Sequence, residues 1–309
     1  MRNATITGWG TWLPSTTVTF GRQTRYRITA DTSQLDMLAA AASQALDRAG
    51  LDASDVDCLI AACAVGVQPI PCTAALLMER LGPRSEAACF DVNSTCTSFI
   101  TAVDIASRYL ADGEYSRILI VSGDVGSRSL DPAQRESYEL FSDAAAAVVL
   151  ERGPEGAGVI ASLQQTWPEH AHDTELRGGL SAFPSYDYAD GDPADYRFSM
   201  DGRRALRGML SVLPGFFERF FAKAGLARTD LDLVVPHQAS GALGLAMRKL
   251  GLPAGTYVDN VAEYGNMVSA SVPYTLARCL DEGRIGAGDT VMLCGTAAGL
   301  TANALALRL

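Results

Sequence analysis

One pattern recurs along this chain and limits what it can fold into. Ala49-Gly50-Leu51, followed by Asp55-Val56-Asp57 and an apolar run, returns as Ala224-Gly225-Leu226, followed by Asp230-Leu231-Asp232 and another apolar run. Leu81-Gly82 has a counterpart in Leu250-Gly251, and Leu110-Ala111-Asp112-Gly113 before Ile118–Ser122 is echoed by Leu280-Asp281-Glu282-Gly283 before Thr290–Cys294. The offset stays at about 170 to 175 residues. Ordered self-similarity at a steady spacing marks an internal duplication, here two copies of one α/β half. In that frame Cys96 falls close to Ser269, just after Gly265-Asn266.

Helical and strand patterns alternate, which points to α/β architecture. Strands are expected near Ala4–Thr7, Val56–Cys63, Arg117–Ser122 and Ala145–Leu150, with helices near Ser33–Ala49 and Cys72–Leu81. The expected division is a first half over 1–163, a connecting or cap segment over 164–200 and a second half over 201–309. At 309 residues and 48% hydrophobic composition the chain has ample material for a large core. A formal charge of −10 disfavours nucleic acid or an anionic membrane as the main partner. No secretory leader pattern opens the sequence, and no apolar run is long enough to span a bilayer, so a cytoplasmic location is expected. The seven cysteines are scattered with no Cys-x-x-Cys pair, so neither a disulfide framework nor a structural metal site is expected.

Cys96 stands where the strand-like Ala87–Val92 gives way, through Asn93-Ser94-Thr95, to a small-residue helix running to about Ala111. Ser94 or Thr95 is placed to cap that helix. A thiol in the first turn meets unpaired N–H groups and the positive helix end, which favour the nucleophilic thiolate. The competing reading is a buried cysteine acting as a small hydrophobe. His237 follows the buried run Leu231–Val235 and Pro236, so it emerges at the C-terminal end of a strand, where α/β sheets gather active-site groups. His170 and His172 lie in a polar stretch that reads as a solvated turn. Asn266 follows Gly265 in a turn ahead of a helix with Pro273 in an early position. That leaves Cys96, His237 and Asn266 on three separate strand-to-helix junctions.

At these residues the chain resembles the β-ketoacyl-ACP synthase III family of the thiolase superfamily. The likeness is carried in order by Gly8-Trp9-Gly10-Thr11-Trp12-Leu13-Pro14, Phe90–Cys96, Val235-Pro236-His237-Gln238-Ala239, Tyr264-Gly265-Asn266, Ser269–Pro273 and Gly283-Arg284-Ile285. The resemblance implies a thiolase-like α/β fold, its two duplicated halves forming a five-layered αβαβα core. Cys96 would accept an acyl group from acyl-CoA or acyl carrier protein. His237 and Asn266 would hydrogen-bond the thioester oxygen of a malonyl unit as it loses carbon dioxide, and the backbone N–H groups of Cys96 and Ala298 would form an oxyanion hole. No cofactor is implied beyond the thioester substrates, with malonyl-ACP as extender. Arg203, Arg204 and Arg207 on one helix, with Arg248 and Lys249 ending another, would meet acyl carrier protein, although a plain solvated face is the alternative. Ile70 matches a position where a dimer partner reaches the acyl pocket, which implies a homodimer.

The family's longer N-terminal segment shrinks here to Phe20–Arg27, shorter by roughly twenty residues. Priming from acyl-CoA is thereby weakened, and Arg22, Arg25 and Arg27 are left either to meet a phosphate or to form a basic loop. Together with Phe141-Ser142-Asp143-Ala144 and Gly295-Thr296-Ala297-Ala298-Gly299, these departures suit a specialised-metabolism member. A thiolase would want a second catalytic cysteine near Cys294, which reads instead as a strand-end core residue. Esterification or amidation of a small acceptor by the same Cys and His stays open. A non-catalytic partner subunit is disfavoured because all three residues are present. Gly8-Trp9-Gly10 lacks the third glycine of a dinucleotide site, and no Gly-x-Ser-x-Gly elbow supports a serine hydrolase.

Overall fold

The computed structural model describes residues 1–82 and 86–309. Its first half opens with β1 (Thr5–Trp12), a hairpin of β2 (Thr17–Phe20) and β3 (Gln23–Tyr26), and helix α1 (Gln34–Ala49). There follow β4 (Cys58–Ala61), α2 (Thr73–Leu81), β5 (Ala88–Asp91) and α3 (Ser98–Asp112). β6 (Arg117–Asp124), the short α4 (Arg135–Tyr138) and β7 (Ala144–Glu151) complete it. The strands form one sheet in the order β1-β7-β6-β4-β5. β4, β6 and β7 are apolar on both faces because helices cover both sides of the sheet.

The second half starts at β8 (Gly158–Thr166), crosses a cap holding β9 (Thr174–Glu175) and β10 (Ser199–Met200), and enters α5 (Gly202–Ala224). It continues through β11 (Leu233–Pro236), α6 (Leu243–Lys249), α7 (Val261–Tyr264), α8 (Ser271–Asp281), β12 (Thr290–Ala297) and β13 (Thr301–Arg308). Its sheet runs β11-β12-β13-β8. The counterpart of edge strand β5 survives only as a single bridge between Val234 and Tyr257.

The duplicated motif does the same physical work twice. Gly50 and Gly225 end α1 and α5 in the left-handed region, at φ 68° and 65°, where a side chain would be strained. Asp55 and Asp230 each accept a backbone N–H three residues back, from Asp52 at 2.9 Å and from Ala227 at 2.7 Å. Asp57 ties β4 to Ser116 and Arg117 at the start of β6, as Asp232 ties β11 to Thr290 at the start of β12.

Helices α1 and α2 pack on the outer face of the first sheet, α3 and α8 lie between the sheets, and α5 and α6 cover the second. This is the expected five-layered α-β-α-β-α order. Gly8 and Gly10 on β1 are required by contact rather than by nucleotide binding. A Cβ on either would collide with the Ala45 or Ala41 carbonyl of α1.

Two expectations about organisation need correction. β8 hydrogen-bonds to β13 as the edge of the second sheet, so the boundary falls before Gly158 and not after residue 163. The offset is 175 from Cys58 to Leu233 and 173 from Arg117 to Thr290, but 157 from Ala144 to Thr301. The difference lies in the β6–β7 connection, where residues 125–143 make a long excursion that includes the buried Leu130, Ser137 and Phe141, while β12 turns directly into β13. No helix among the described residues is long and apolar enough to cross a membrane.

Candidate active site

Two matching turns lie at the centre of the molecule. Thr95–Thr97, which holds Cys96, and Val268–Ala270 are single 3-10 turns feeding α3 and α8, and they pack against each other. Thr95 and Val268 both sit at φ 51°, an uncommon conformation for a β-branched residue, and it turns the chain sharply. Each is held from two residues upstream: Asn93 Oδ1 accepts from the Thr95 N–H and Asn266 Oδ1 from the Val268 N–H, both at 2.9 Å. Ser98 Oγ and Ser271 Oγ likewise accept from the Ser94 and Met267 N–H groups, both at 3.0 Å. Cys96 thus has Ser269 as its structural counterpart. The expected cap by Ser94 or Thr95 is absent. Thr97 stands at the N-cap of α3, but its hydroxyl donates back to the Ser94 carbonyl at 3.0 Å and caps no helix N–H, so the thiol lies just ahead of the helix.

His237 follows β11 directly and its N–H donates to the Cys294 carbonyl at 2.7 Å. A side chain at Gly295 would come within 2.6 Å of His237 Cβ and 3.5 Å of Thr97 Cγ2, so glycine there lets the histidine and the Cys96 turn share one space. Asn266 is buried, and its Nδ2 donates to the Ala239 carbonyl at 3.2 Å. A cavity of about 660 Å³ is lined by Asn266, Thr296, Ala298, Phe141 and Phe198, among others. A smaller pocket beside it is lined by His237 and Cys294 and shares Ala239, Ser240 and Thr296 with the large one. Cys96 packs in the apolar cluster of Phe141, Leu140, Phe198 and Val268, behind the large cavity's wall.

The electrostatics overturn one expectation. Burial, reinforced by the Asp124 carboxylate, pushes the Cys96 thiol up to about 12 against a weaker downward pull from its own backbone N–H. The resting sulfur is therefore a thiol, because desolvation outweighs the helix end. Burial alone takes His237 down to about 4, so the imidazole is neutral near pH 7, and its Nδ1 has no protein partner. Cys294 is buried within β12, three residues before its end rather than at the expected strand end, and burial pushes its thiol up to about 12, as suits a core residue. Asp124, which sequence reading did not single out, accepts from the Ala64, Val65 and Ser269 N–H groups and from Ser269 Oγ.

Arg25 also departs from expectation. It meets no phosphate and forms no basic loop: it is fully buried, donating to the carbonyls of Glu139, Thr24 and Val261 and to Gln23. Its Cδ lies 2.6 Å from where a Cβ would stand on Gly265, so this arginine backs the Asn266 turn directly. Arg27 donates to the Tyr138 carbonyl and stacks on the Tyr138 ring, leaving Arg22 alone exposed. His172 is exposed, as read, but His170 lines the large cavity with its Nδ1 2.8 Å from Asp173. Nothing local in the sequence separates these two histidines. Arg203, Arg207, Arg248 and Lys249 are exposed at the ends of α5 and α6, whereas Arg204 lies 2.6 Å from Asp173. Ile70 is 85% exposed. Among the described residues no three His, Cys, Asp or Glu side chains group as metal ligands.

Known proteins decide the family. Residues 90–167 match the family described as 3-oxoacyl-[acyl-carrier-protein (ACP)] synthase III, and residues 221–309 match its C-terminal family. The β-ketoacyl-[acyl-carrier-protein] synthase III of Syntrophomonas wolfei is 32% identical over 282 residues, 90% of this chain and 83% of that protein. The chain belongs to the β-ketoacyl-ACP synthase III family. The Methylococcus capsulatus member is 34% identical, covering 88% of this chain and 83% of its own length. The solved Pseudomonas aeruginosa synthase III superposes with a TM-score of 0.87 at 30% identity, covering 99% of this chain and 98% of the other. A priming β-ketosynthase from the R1128 polyketide pathway shares the fold, with a TM-score of 0.89 at 24% identity and coverage of 100% and 96%. As a member of the β-ketoacyl-ACP synthase III family, the protein is an acyltransferase of the condensing type, on the thiolase-like fold that the resemblance implied.

Proposed function

We propose that Cys96 takes an acyl group from a thioester, and that His237 and Asn266 then stabilise the enolate formed when a malonyl thioester loses carbon dioxide. The thiol gives up its proton as it attacks the thioester carbonyl, forming a C–S bond and releasing the donor thiol. The N–H groups of Cys96 and Ala298 are assigned to the oxyanion of that step. In the second step the malonyl carboxylate leaves as carbon dioxide, and the electron pair passes through the enolate to the acyl carbonyl, where the new C–C bond forms as the C–S bond to Cys96 breaks and the released sulfur takes up a proton. No base is needed to make that carbanion. The observation that carries the reading is the buried His237, kept neutral by desolvation beside the Asn266-lined cavity. Neutral donors aimed at developing charge in a dry site lower the barrier without abstracting a proton.

We assign acyl carrier protein as the partner, with Arg203, Arg207, Arg248 and Lys249 as its cationic contacts. Arg204 contributes less because Asp173 already engages it. The donor is assigned to a carrier-bound thioester in specialised metabolism, because Arg25 and Arg27 are consumed internally. The exposed Val65 and Ile70 suit a homodimer contact. Seven unpaired cysteines suit a reducing, cytoplasmic setting. Intact-mass measurement after exposure to acyl-carrier and acyl-CoA thioesters tests the assignment. A thioester adduct present in the native protein and absent in Cys96→Ala is expected, followed by carbon dioxide release on adding malonyl carrier. An adduct that survives Cys96→Ala sinks it.

A further inference from the structure

The two donors assigned to the enolate are joined by a short path of hydrogen bonds, and Gln238 lies in the middle of it. The Ala239 N–H donates to the His237 carbonyl at 2.9 Å, closing a three-residue turn at the end of β11 with Gln238 at its centre. Ala239 leaves that turn with its carbonyl accepting from Asn266 Nδ2 at 3.2 Å. Asn266 Oδ1 is taken by the Val268 N–H at 2.9 Å, so both ends of the amide are fixed. One of its two N–H groups is left without a partner among the described residues.

Gln238 itself is fully buried. His237 lines the smaller pocket and Ala239 lines both spaces, whereas Gln238 lines neither. Its Nε2 donates to the Pro236 carbonyl at 2.9 Å and to the Val258 carbonyl at 3.1 Å, which uses both N–H groups. Its Oε1 accepts from the Asn260 N–H at 2.9 Å. Asn260 is the N-cap of α7, the single helical turn that delivers Gly265 and Asn266. The side chain of Gln238 therefore holds the start of the segment carrying one donor, while its main chain is joined directly to the other. With its donors spent on backbone, it has none to offer a substrate.

The first half supplies an internal control. Its matching places are Ala62, Cys63 and Ala64, and Asn93 Nδ2 donates to the Ala64 carbonyl at 2.9 Å, as Asn266 does to Ala239. There the Ala64 N–H is held from the neighbouring strand β6, donating to Asp124 Oδ1 at 3.0 Å, and Cys63 offers no side-chain amide. The asparagine clasp thus forms without a glutamine, and the glutamine occurs in the half that carries both assigned donors. We infer that Gln238 is a positioning residue for malonyl decarboxylation, setting the separation and aim of His237 and Asn266. The inference rests on those two side chains being the enolate donors. Misplacing such groups by about 1 Å costs on the order of a hundredfold in rate.

The test separates acylation from decarboxylation in the full chain. Acylation of Cys96 is read by intact mass with acetyl and octanoyl pantetheine thioesters, and decarboxylation as carbon dioxide release from malonyl pantetheine thioester. Gln238→Met, which keeps the length of the side chain, should lower kcat for decarboxylation about tenfold to a hundredfold. KM for the malonyl thioester and the acylation rate should stay within about twofold. Gln238→Glu, which keeps the shape and the acceptor for Asn260, is the second variant and should show the same split to a smaller degree. Combined with Asn266→Ala, Gln238→Met should cost less than the product of the two separate losses, since part of its effect passes through that amide. An unchanged kcat, equal losses in both steps, a loss confined to KM, losses that multiply, or failure of both variants to fold overturns the inference. Carbon dioxide release that is missing from the native protein, or unchanged in Asn266→Ala, overturns instead the assignment of the donors beneath it.

Discussion

The two turns at the centre of this molecule share a backbone and differ in chemistry. Thr95–Thr97 and Val268–Ala270 have the same positive φ, the same asparagine clasp and the same serine behind it. One carries Cys96 beside cavity-lining aromatics, and the other carries Ser269, whose hydroxyl is spent on Asp124. The reverse division holds one strand away, where His237 follows β11 and its counterpart after β4 is Ala62. Even the clasping residues diverge: Asn93 is exposed and bonds the Ala64 carbonyl, while Asn266 is buried at the cavity. Duplication supplied two equivalent scaffolds, and the proposed chemistry takes its nucleophile from one half and its donors from the other.

The largest expected effect breaks the equivalence outright. Cys96→Ala should abolish acyl-enzyme formation by intact mass, while Ser269→Ala should keep it and lose only stability, about 1 to 3 kcal/mol from the stranded Asp124. Next, Asn266→Ala should lower malonyl decarboxylation about a hundredfold to a thousandfold with self-acylation retained. Asn93→Ala, which removes the same local bond, should cost about 1 kcal/mol of stability in denaturant unfolding and leave decarboxylation intact. Equal decarboxylation in the two variants would mean that Asn266 is only a clasp.

Arg25→Met should destabilise the fold by about 3 kcal/mol, since it strips donors from buried carbonyls of three segments. The effect should appear as a lowered urea midpoint. His237 has a folded pKa of about 4 against an ordinary 6.5, so the unfolded chain binds the extra proton between those values. Stability should therefore fall by about 3 kcal/mol as pH drops from 6.5 to 4, and His237→Gln should flatten that part of the profile. The smallest effect is a slope. Alkylation of Cys96, whose thiol lies near 12, should quicken about tenfold per pH unit from neutrality to pH 9 without a plateau. A plateau near pH 7 would show that the helix end prevails over burial.

Much of this was legible in the sequence because the signals are local. Gly50 and Gly225 end helices in a conformation that glycine favours, and Asp55 and Asp230 bond three residues back, so their recurrence exposed the duplication directly. Pro236 marked the strand end that presents His237, and the small residues after Thr95 marked the helix behind Cys96. Only the tertiary structure decided what depends on neighbours far along the chain. Desolvation and a carboxylate from β6 set the state of the sulfur, against the local helix end. Arg25 read as a surface cation until carbonyls from three segments closed around it. His170 and His172 stand two residues apart, and Gly208 on a distant helix sends one into the cavity while the other stays in solvent. Burial sums over the whole fold, so no window of sequence contains it.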